Sequence, residues 1–171
     1  MNNHLFLDID GVLNAVGALN MLPKTKRPWS DYQLVEQDTI FNETYSPTMV
    51  KQLKALISKH EVKVHWLTTW EEDAHEFGIK IGLAHAHGLK WTHLDTEDSH
   101  GIWGKHRSLR LHNAIHRERD DRIAWIDDDL RDEYEAQLWA SEAGILTISP
   151  NPNQGITPAH LHMLNEHYTK D

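Results

Sequence analysis

The stretch LFLDIDGVLN, residues 5–14, places two aspartates at the end of an apolar run and a glycine directly after them. The apolar run is typical of a buried strand, and Gly11 ends it because glycine allows a sharp turn. Asp8 and Asp10 would then lie at the carboxyl end of the strand. In a parallel sheet, this is the edge beyond which ligands bind.

Strand and helix patterns alternate along the rest of the chain. Strands are predicted over residues 5–10, 62–68, 89–94, 122–126 and 145–148, and helices over 47–60, 69–83, 105–117, 130–143 and from 158 onward. Ser46-Pro47 and Thr157-Pro158 are typical helix starts, and Thr69 with Glu72 has the spacing of a capping box. The alternation predicts an α/β, Rossmann-like fold with a parallel five-stranded sheet flanked by helices.

Residues 14–45 interrupt this alternation. They include the basic and aromatic patch PKTKRPW, residues 23–29, which can meet a phosphate or a base; a solvated loop is the alternative. We predict a single domain over residues 1–171 in which 14–45 form a small cap or flap insert. Trp29 in this patch and Trp103 near Lys105 are the tryptophans best placed to contact a substrate.

Composition excludes several classes of protein. The net charge of -9 opposes nonspecific binding to nucleic acid or to an anionic membrane, although a local basic patch remains compatible with it. The absence of cysteine excludes disulfides and thiolate metal sites. No apolar run approaches the length of a membrane span, so we expect no membrane partner. Because nothing in a chain without cysteine indicates an oxidising compartment, we expect a cytoplasmic location.

Polar residues end three of the predicted strands: Asp8 and Asp10, then Thr68, then the run from Asp127 to Asp129. Carboxylates clustered at the edge of a sheet repel one another unless a cation compensates. Oxygen ligands without cysteine favour a hard ion such as Mg²⁺ over zinc. The sequence therefore predicts a magnesium site at this edge.

Four segments in this order resemble motifs one to four of the haloacid dehalogenase (HAD) superfamily: DIDGVLN, VHWLTTW, WGKHRSL and IAWIDDDL. The tail NPNQGITPAHLHML, together with WLTTWEEDA and WIDDDL, is similar to a narrower family, the HAD domains associated with Swiss Army Knife RNA repair proteins. A calcium-binding loop is the alternative reading of the first motif. That loop needs a glutamate at its twelfth position, which is Leu19 here.

The resemblance implies a role for each motif residue. Asp8 would be the nucleophile, and Asp10 the general acid and base whose backbone carbonyl also binds the metal. Thr68 would bind a phosphoryl oxygen, and Lys105 would offset negative charge. Asp127 and Asp128 would hold Mg²⁺ together with Asp8. Gly11, Thr69 and Trp103 would lie on the substrate side of the site.

Some assignments stay open from sequence. Lys90 competes with Lys105, and Asp132 is an alternative metal ligand. Asp129 is expected to be the N-cap of the helix that begins at Leu130. Most of the fourteen histidines are expected to face solvent; His112 and His116 have the spacing of one helix face.

The implied activity is magnesium-dependent hydrolysis of a phosphomonoester through an aspartyl-phosphate. The substrate would be a phosphorylated small molecule, a nucleotide or a nucleic-acid end. The alternatives are a noncatalytic phosphate- or partner-binding module and a phosphotransferase.

Overall fold

A four-stranded parallel sheet forms the centre of the computed structural model, which describes residues 2–35, 43–87, 90–98 and 101–169. The strand order is β4-β1-β5-β6. The strands in chain order are β1 (Asn3–Leu7), β2 (Gln33–Leu34), β3 (Thr44–Tyr45), β4 (Lys63–Trp66), β5 (Arg122–Ile126) and β6 (Leu146–Ile148). The predicted parallel α/β architecture is confirmed.

The helices follow the predicted order, but the second and the fourth begin later than predicted, at residues 74 and 134 instead of 69 and 130. They are α1 (Pro47–Lys59), α2 (Ala74–Lys80), α3 (Gly104–His116), α4 (Tyr134–Glu142) and α5 (Pro158–Thr169). Both predicted helix starts at proline are confirmed. The Met49 amide donates to Ser46 Oγ at 3.1 Å, and the His160 amide donates to Thr157 Oγ1 at 3.4 Å.

The core has one layer on each face of the sheet. On one face, Leu5, Leu7 and Trp66 belong to the same buried cluster as side chains of α1, α2 and α5. On the other face, Phe6 and Trp125 pack with side chains of α3 and α4. Alternate residues of β1 thus point into opposite layers, as the pleat of a strand requires. Both faces are covered, which fits the mainly apolar composition of these strands.

The fifth strand predicted over residues 89–94 is not formed in the described part of this segment. One isolated bridge joins His93 to Trp66, with the Trp66 amide donating to the Thr92 carbonyl oxygen at 2.8 Å. Leu89 lies outside the described residues. The chain then turns towards α3, where Arg107 Nη2 donates to Asp95 Oδ2 at 2.8 Å. In the described residues, the pairing with β4 is therefore limited to this one bridge.

The predicted capping box at Thr69 is wrong. Thr69 is exposed, and a short 3-10 turn, Glu71–Asp73, precedes α2 without a side-chain cap at the start of either element. The residue that binds the following backbone is Thr68, whose Oγ1 accepts from the Trp70 amide at 3.5 Å. The turn also contains a left-handed residue, Glu71, with φ of 46°.

The described residues of the insert pack against the loop after β6. Trp29 is buried, and its Nε1 donates to the Ile156 carbonyl oxygen at 2.7 Å. The Val16 amide donates to the Pro152 carbonyl oxygen at 3.0 Å. The ring of Trp29 therefore anchors the insert to the core, and its burial leaves little surface for the substrate contact for which it was a candidate. Residues 36–42 lie outside the described residues, and a closing cap stays a prediction.

In the part of the chain that the structure describes, every helix is too short or too polar to cross a membrane.

Candidate active site

The carboxyl ends of β1, β4 and β5 bring the predicted residues to one edge of the sheet. The Asp8 amide donates to the Ile126 carbonyl oxygen at 3.1 Å, and the Leu67 amide donates to the Leu7 carbonyl oxygen at 3.0 Å. These two bonds extend the pairing of β1 with β5 and with β4 by one residue at the carboxyl end. Asp8, Thr68 and Asp127 therefore follow three adjacent strands, and all three are buried.

Lys105 reaches this edge from the first turn of α3. Its Nζ lies 2.7 Å from Asp8 Oδ2 and 2.9 Å from Asp127 Oδ2, and the lysine is only 4% exposed. Burial opposes its charge, but Asp8 and Asp127 outweigh burial and raise the pKa of the Lys105 ammonium. Lys105 therefore stays charged, and it supplies the cation that the sequence assigned either to it or to Lys90.

The loop before α3 fixes the position of Lys105. The Gly104 amide donates to Asp98 Oδ1 at 2.8 Å. A Cβ on Gly104 would lie 2.0 Å from the Thr96 carbonyl oxygen, so only glycine fits where the loop crosses the helix start. Close packing against the loop therefore requires glycine at position 104, directly before Lys105. The sequence alone did not show this requirement.

Three carboxylates converge beside Lys105. Asp8, Asp127 and Asp128 each offer an oxygen within 4.8 Å of the others, and they are the one such group among the residues the structure describes. Burial, followed by the charge of Asp8, raises the pKa of Asp127 to about 8. Burial, with Asp129 and Asp8 next, raises the pKa of Asp128 to about 6. Burial likewise raises the pKa of Asp8, although Lys105 opposes this.

The donor set of these carboxylates fits a hard divalent cation. One lysine cannot neutralise three clustered acids, and an added cation would relieve the remaining repulsion. The buried Asp127 Oδ2 lies 2.9 Å from the Lys105 ammonium and Asp8 Oδ2 lies 2.7 Å from the same ammonium, so two of the three acids share one cation. Asp8, Asp127 and Asp128 can therefore hold a metal ion.

Gly11 makes room for one of these acids. Its φ is 67°, and a Cβ built there would lie 2.2 Å from Asp128 Cγ. Sequence reasoning explained this glycine by a turn near the phosphate. The structure adds that any side chain at Gly11 would displace the Asp128 carboxylate.

The acids around Asp127 divide into two roles. Asp127, not Asp129, is the cap: its Oδ1 accepts from the Asp129 amide at 3.1 Å at the start of a 3-10 turn, Asp128–Asp132. The predicted N-cap at Asp129 is therefore wrong, because the cap lies two residues earlier. Asp132 pairs with Arg131 and has a side chain that is 78% exposed, so it lies outside the carboxylate group.

Asp10 is exposed. Its carboxylate accepts hydrogen bonds from Asn14 and Trp70. Asn14 Nδ2 donates to Asp10 Oδ1 and Trp70 Nε1 donates to Asp10 Oδ2, both at 2.8 Å. The side chain of Asp10 is not part of the three-carboxylate group. Sequence reasoning missed both donors, although each lies in a motif that it singled out, DIDGVLN and WLTTWEEDA.

The comparison with protein families agrees with this geometry. The model of the family described as the HAD domain in Swiss Army Knife RNA repair proteins matches residues 4–161, which is most of the chain. The chain belongs to this HAD family. At the level of significance applied, no curated protein and no solved structure matches it.

The remaining predicted site residues of this HAD domain differ in their surroundings. A hydrogen bond from Thr68 helps to stabilise the charged form of Asp8 and so opposes the rise in its pKa. Thr69 is exposed. Trp103 stacks on Trp125 with ring centroids 5.3 Å apart, and Lys105 Nζ lies 5.6 Å from its ring centroid. Trp103 is thus close to the lysine, and its contact with substrate stays a prediction.

Several histidines of the HAD domain are not at the surface, contrary to expectation. His4 Nδ1 lies 3.0 Å from His65 Nε2, and the ring of His112 is 4.9 Å from that of His65. His116, which is exposed, continues the row, with its ring 4.8 Å from that of His112. We call these four residues the histidine row. Within the described residues they do not form a three-ligand metal group.

Proposed function

We propose that this HAD domain is a magnesium-dependent phosphohydrolase that cleaves a phosphomonoester through an aspartyl-phosphate on Asp8. The observation that carries the proposal is the buried Asp8 carboxylate, which touches the Lys105 ammonium at 2.7 Å beside two further acids. A nucleophilic carboxylate and a fixed positive charge are what phosphoryl transfer needs, because its catalysis is mainly positioning and charge stabilisation.

In the first step, a carboxylate oxygen of Asp8 attacks phosphorus in line with the leaving oxygen. The bond from phosphorus to the leaving oxygen breaks, and Asp10 gives that oxygen a proton. Asp8 is held for attack, because its Oδ1 accepts from the Ile9 amide at 2.7 Å while Oδ2 meets Lys105. Lys105 and the Thr68 hydroxyl would stabilise the phosphoryl oxygens.

In the second step, a water molecule attacks the phosphorus of the aspartyl-phosphate. Asp10, now ionised, takes a proton from that water, and the bond between phosphorus and Asp8 breaks. Inorganic phosphate leaves, Asp8 is again a carboxylate, and Asp10 holds the proton for the next leaving group. Each turnover thus consumes one water molecule and one ester.

Asp8, Asp127 and Asp128 would hold the magnesium ion, with the backbone carbonyl of Asp10 as the further ligand that the resemblance implies. When bound, Mg²⁺ supplies positive charge that orients the phosphoryl group and lowers the repulsion between it and these acids. This part of the proposal is supported by the convergence of the three carboxylates and by the sharing of one lysine between Asp8 and Asp127.

For the substrate, we propose a nucleotide or the phosphorylated end of a nucleic acid. The family description, a domain in RNA repair proteins, supports this class. The exposed Lys24 and Lys26 of the insert add local positive charge to a chain whose net charge is -9. The insert, residues 14–45, would then act as the cap that selects substrate.

The test is phosphate release from sugar phosphates, nucleotides and oligonucleotides phosphorylated at the 3′ or 5′ end, with magnesium or with a chelator. Wild type is compared with Asp8→Asn, which removes the nucleophile at nearly constant shape. We expect magnesium-dependent release that Asp8→Asn abolishes. A folded protein that binds magnesium and a phosphate ligand without turnover would instead favour the noncatalytic module. Transfer of phosphate to an added alcohol in preference to water would favour a phosphotransferase.

A further inference from the structure

The carboxylate of Asp10 is held by two hydrogen-bond donors from different segments of the chain. Asn14 lies four residues later in the same motif, and Trp70 follows the end of β4. An amide NH₂ and an indole N–H can only donate, and an ionised carboxylate only accepts. Each oxygen of Asp10 has one donor and keeps a further lone pair, where the proton that Asp10 transfers in the proposed mechanism can bind.

Asn14 is itself fixed in orientation. Its Oδ1 accepts from the Thr44 amide at 2.9 Å, and the residue is 8% exposed. A backbone amide cannot accept a hydrogen bond, so the amide oxygen of Asn14 must face Thr44. Its NH₂ group is thereby turned to Asp10.

The Trp70 ring is held from a second direction. It packs against Phe77 of α2 with ring centroids 5.2 Å apart and an angle of 54° between the planes. The Trp70 amide also donates to Thr68 Oγ1 at 3.5 Å, which links the ring to the strand end that carries Thr68. These two contacts orient the indole N–H of Trp70 towards Asp10.

We propose that Trp70, with Asn14, is a positioning residue that holds the Asp10 carboxylate in the orientation needed for proton transfer. The inference rests on the proposed function of Asp10 as general acid and base. Trp70 touches neither the phosphoryl group nor Asp8 in this role; it acts through Asp10. The contact links two motifs, the first around Asp8 and the second around Thr68, to one proton-transfer group.

The kinetic test compares Trp70→Phe with wild type on two esters. One is an aryl phosphate with a good leaving group, and the other is an alkyl phosphate, whose poor leaving group needs a proton. Because Trp70→Phe keeps the ring and removes the N–H, we expect kcat for the alkyl ester to fall about tenfold or more, with a smaller fall for the aryl ester and little change in KM. Trp91→Phe is the matched control: this ring packs on Trp66, and its loss of an N–H should leave both rates unchanged.

An equal fall for both esters in Trp70→Phe would overturn the positioning role. A second measurement needs no turnover: the indole N–H resonance of Trp70, assigned by its loss in Trp70→Phe. In Asp10→Ala we expect this resonance to shift and its exchange with solvent to become faster, while Asp132→Ala leaves it unchanged. An unchanged resonance in Asp10→Ala would overturn the contact. If wild type hydrolyses neither ester, the proposed function fails and the positioning role with it, and the resonance decides separately whether the contact exists.

Discussion

The Lys105 ammonium lies between two buried carboxylates, 2.7 Å from Asp8 Oδ2 and 2.9 Å from Asp127 Oδ2. The side chains of Lys105 and Asp8 are each 5% exposed, and that of Asp127 is fully buried. Water therefore screens these charges poorly, and the charged form of each side chain is stabilised mainly by the opposite charge beside it. The lysine both balances the acids and places positive charge where a phosphoryl group would bind.

Removing this charge should destabilise the fold. Lys105→Met leaves two buried acids without their partner, which typically costs about 3–5 kcal/mol in free energy of unfolding. We expect a loss of this size in urea unfolding without magnesium, and a partial recovery with magnesium, because a bound cation stabilises the folded state.

Lys80→Met is the matched control for this prediction. Lys80 pairs with Glu76 at 3.3 Å on the exposed face of α2. An exposed pair of this kind contributes about 0–1 kcal/mol. Equal stability of Lys105→Met and wild type would contradict the role given to the buried lysine.

Gly11→Ala should weaken metal binding beyond its effect on the backbone. Both Gly11, with φ of 67°, and Gly82, with φ of 81°, occupy the left-handed region, but Gly82 has open space around it. Each substitution to alanine should cost about 1–3 kcal/mol from backbone strain. In Gly11→Ala alone, displacement of Asp128 should lower magnesium affinity about tenfold or more. Titration calorimetry of the two variants checks this, and equal affinities would count against the crowding of Asp128.

The carboxylate group should be needed for stabilisation by magnesium. With magnesium at about one hundred times its dissociation constant, wild type should gain about 2.7 kcal/mol. Asp127→Asn keeps a side-chain oxygen for the cap but loses the charge, so most of this gain should disappear. Asp132→Asn, at an exposed position, should keep it. Denaturant unfolding with and without magnesium measures this gain in unfolding free energy. An undiminished gain in Asp127→Asn would contradict the proposed set of metal ligands.

The histidine row should make stability fall in acid. Burial, with His112 next, lowers the pKa of His65 to about 3, and burial, with His116 next, lowers the pKa of His112 to about 4. Unfolded histidine titrates near pH 6.5, so between about pH 6.5 and 4 the unfolded chain binds more protons than the folded chain. This contribution is therefore complete above about pH 6.5 and is lost as the pH falls through that window.

His112→Leu tests this pH dependence. His112 Nδ1 is buried without a hydrogen-bond partner among the described residues, so an apolar side chain should cost little at pH 7. We expect a shallower loss of unfolding free energy in acid for this variant. The exposed His162 provides the control, His162→Leu, which should follow wild type. Parallel curves for His112→Leu and wild type would argue against the row as the source.

The centre of the fold and most of the acid cluster could be predicted because each depends on a short segment. An apolar run that ends in acids defines a strand and its carboxyl end at once, and β1 and β5 both show this pattern. Lys105 was placed at the start of the helix predicted over residues 105–117, and its role came chiefly from the resemblance to the HAD motifs. The two helix starts at proline could also be predicted, because the capping side chain and the amide that it binds lie within three residues of each other.

Some of the errors involve contacts between distant segments. Trp29 was a candidate for substrate contact, yet it binds the carbonyl of Ile156 across the chain. The predicted fifth strand is reduced in the described residues to one bridge at His93, and the chain then pairs with α3 through Asp95 and Arg107. The two donors to Asp10 come from segments sixty and four residues away, and no local pattern distinguishes them from ordinary core residues. Asp129 was predicted as the N-cap in place of Asp127, because neighbouring acids before a helix fit the N-cap pattern equally well.

The most direct test of the central claim is a search for phosphate bound covalently to Asp8. Enzyme in excess is mixed with the best substrate and magnesium, quenched in acid within one turnover, and digested for peptide mass analysis. The account predicts one added phosphoryl group on Asp8 in the peptide that contains DIDGVLN, and none in Asp8→Asn. Substrate turnover at full rate with no phosphorylated Asp8, or turnover that persists in Asp8→Asn, would contradict it.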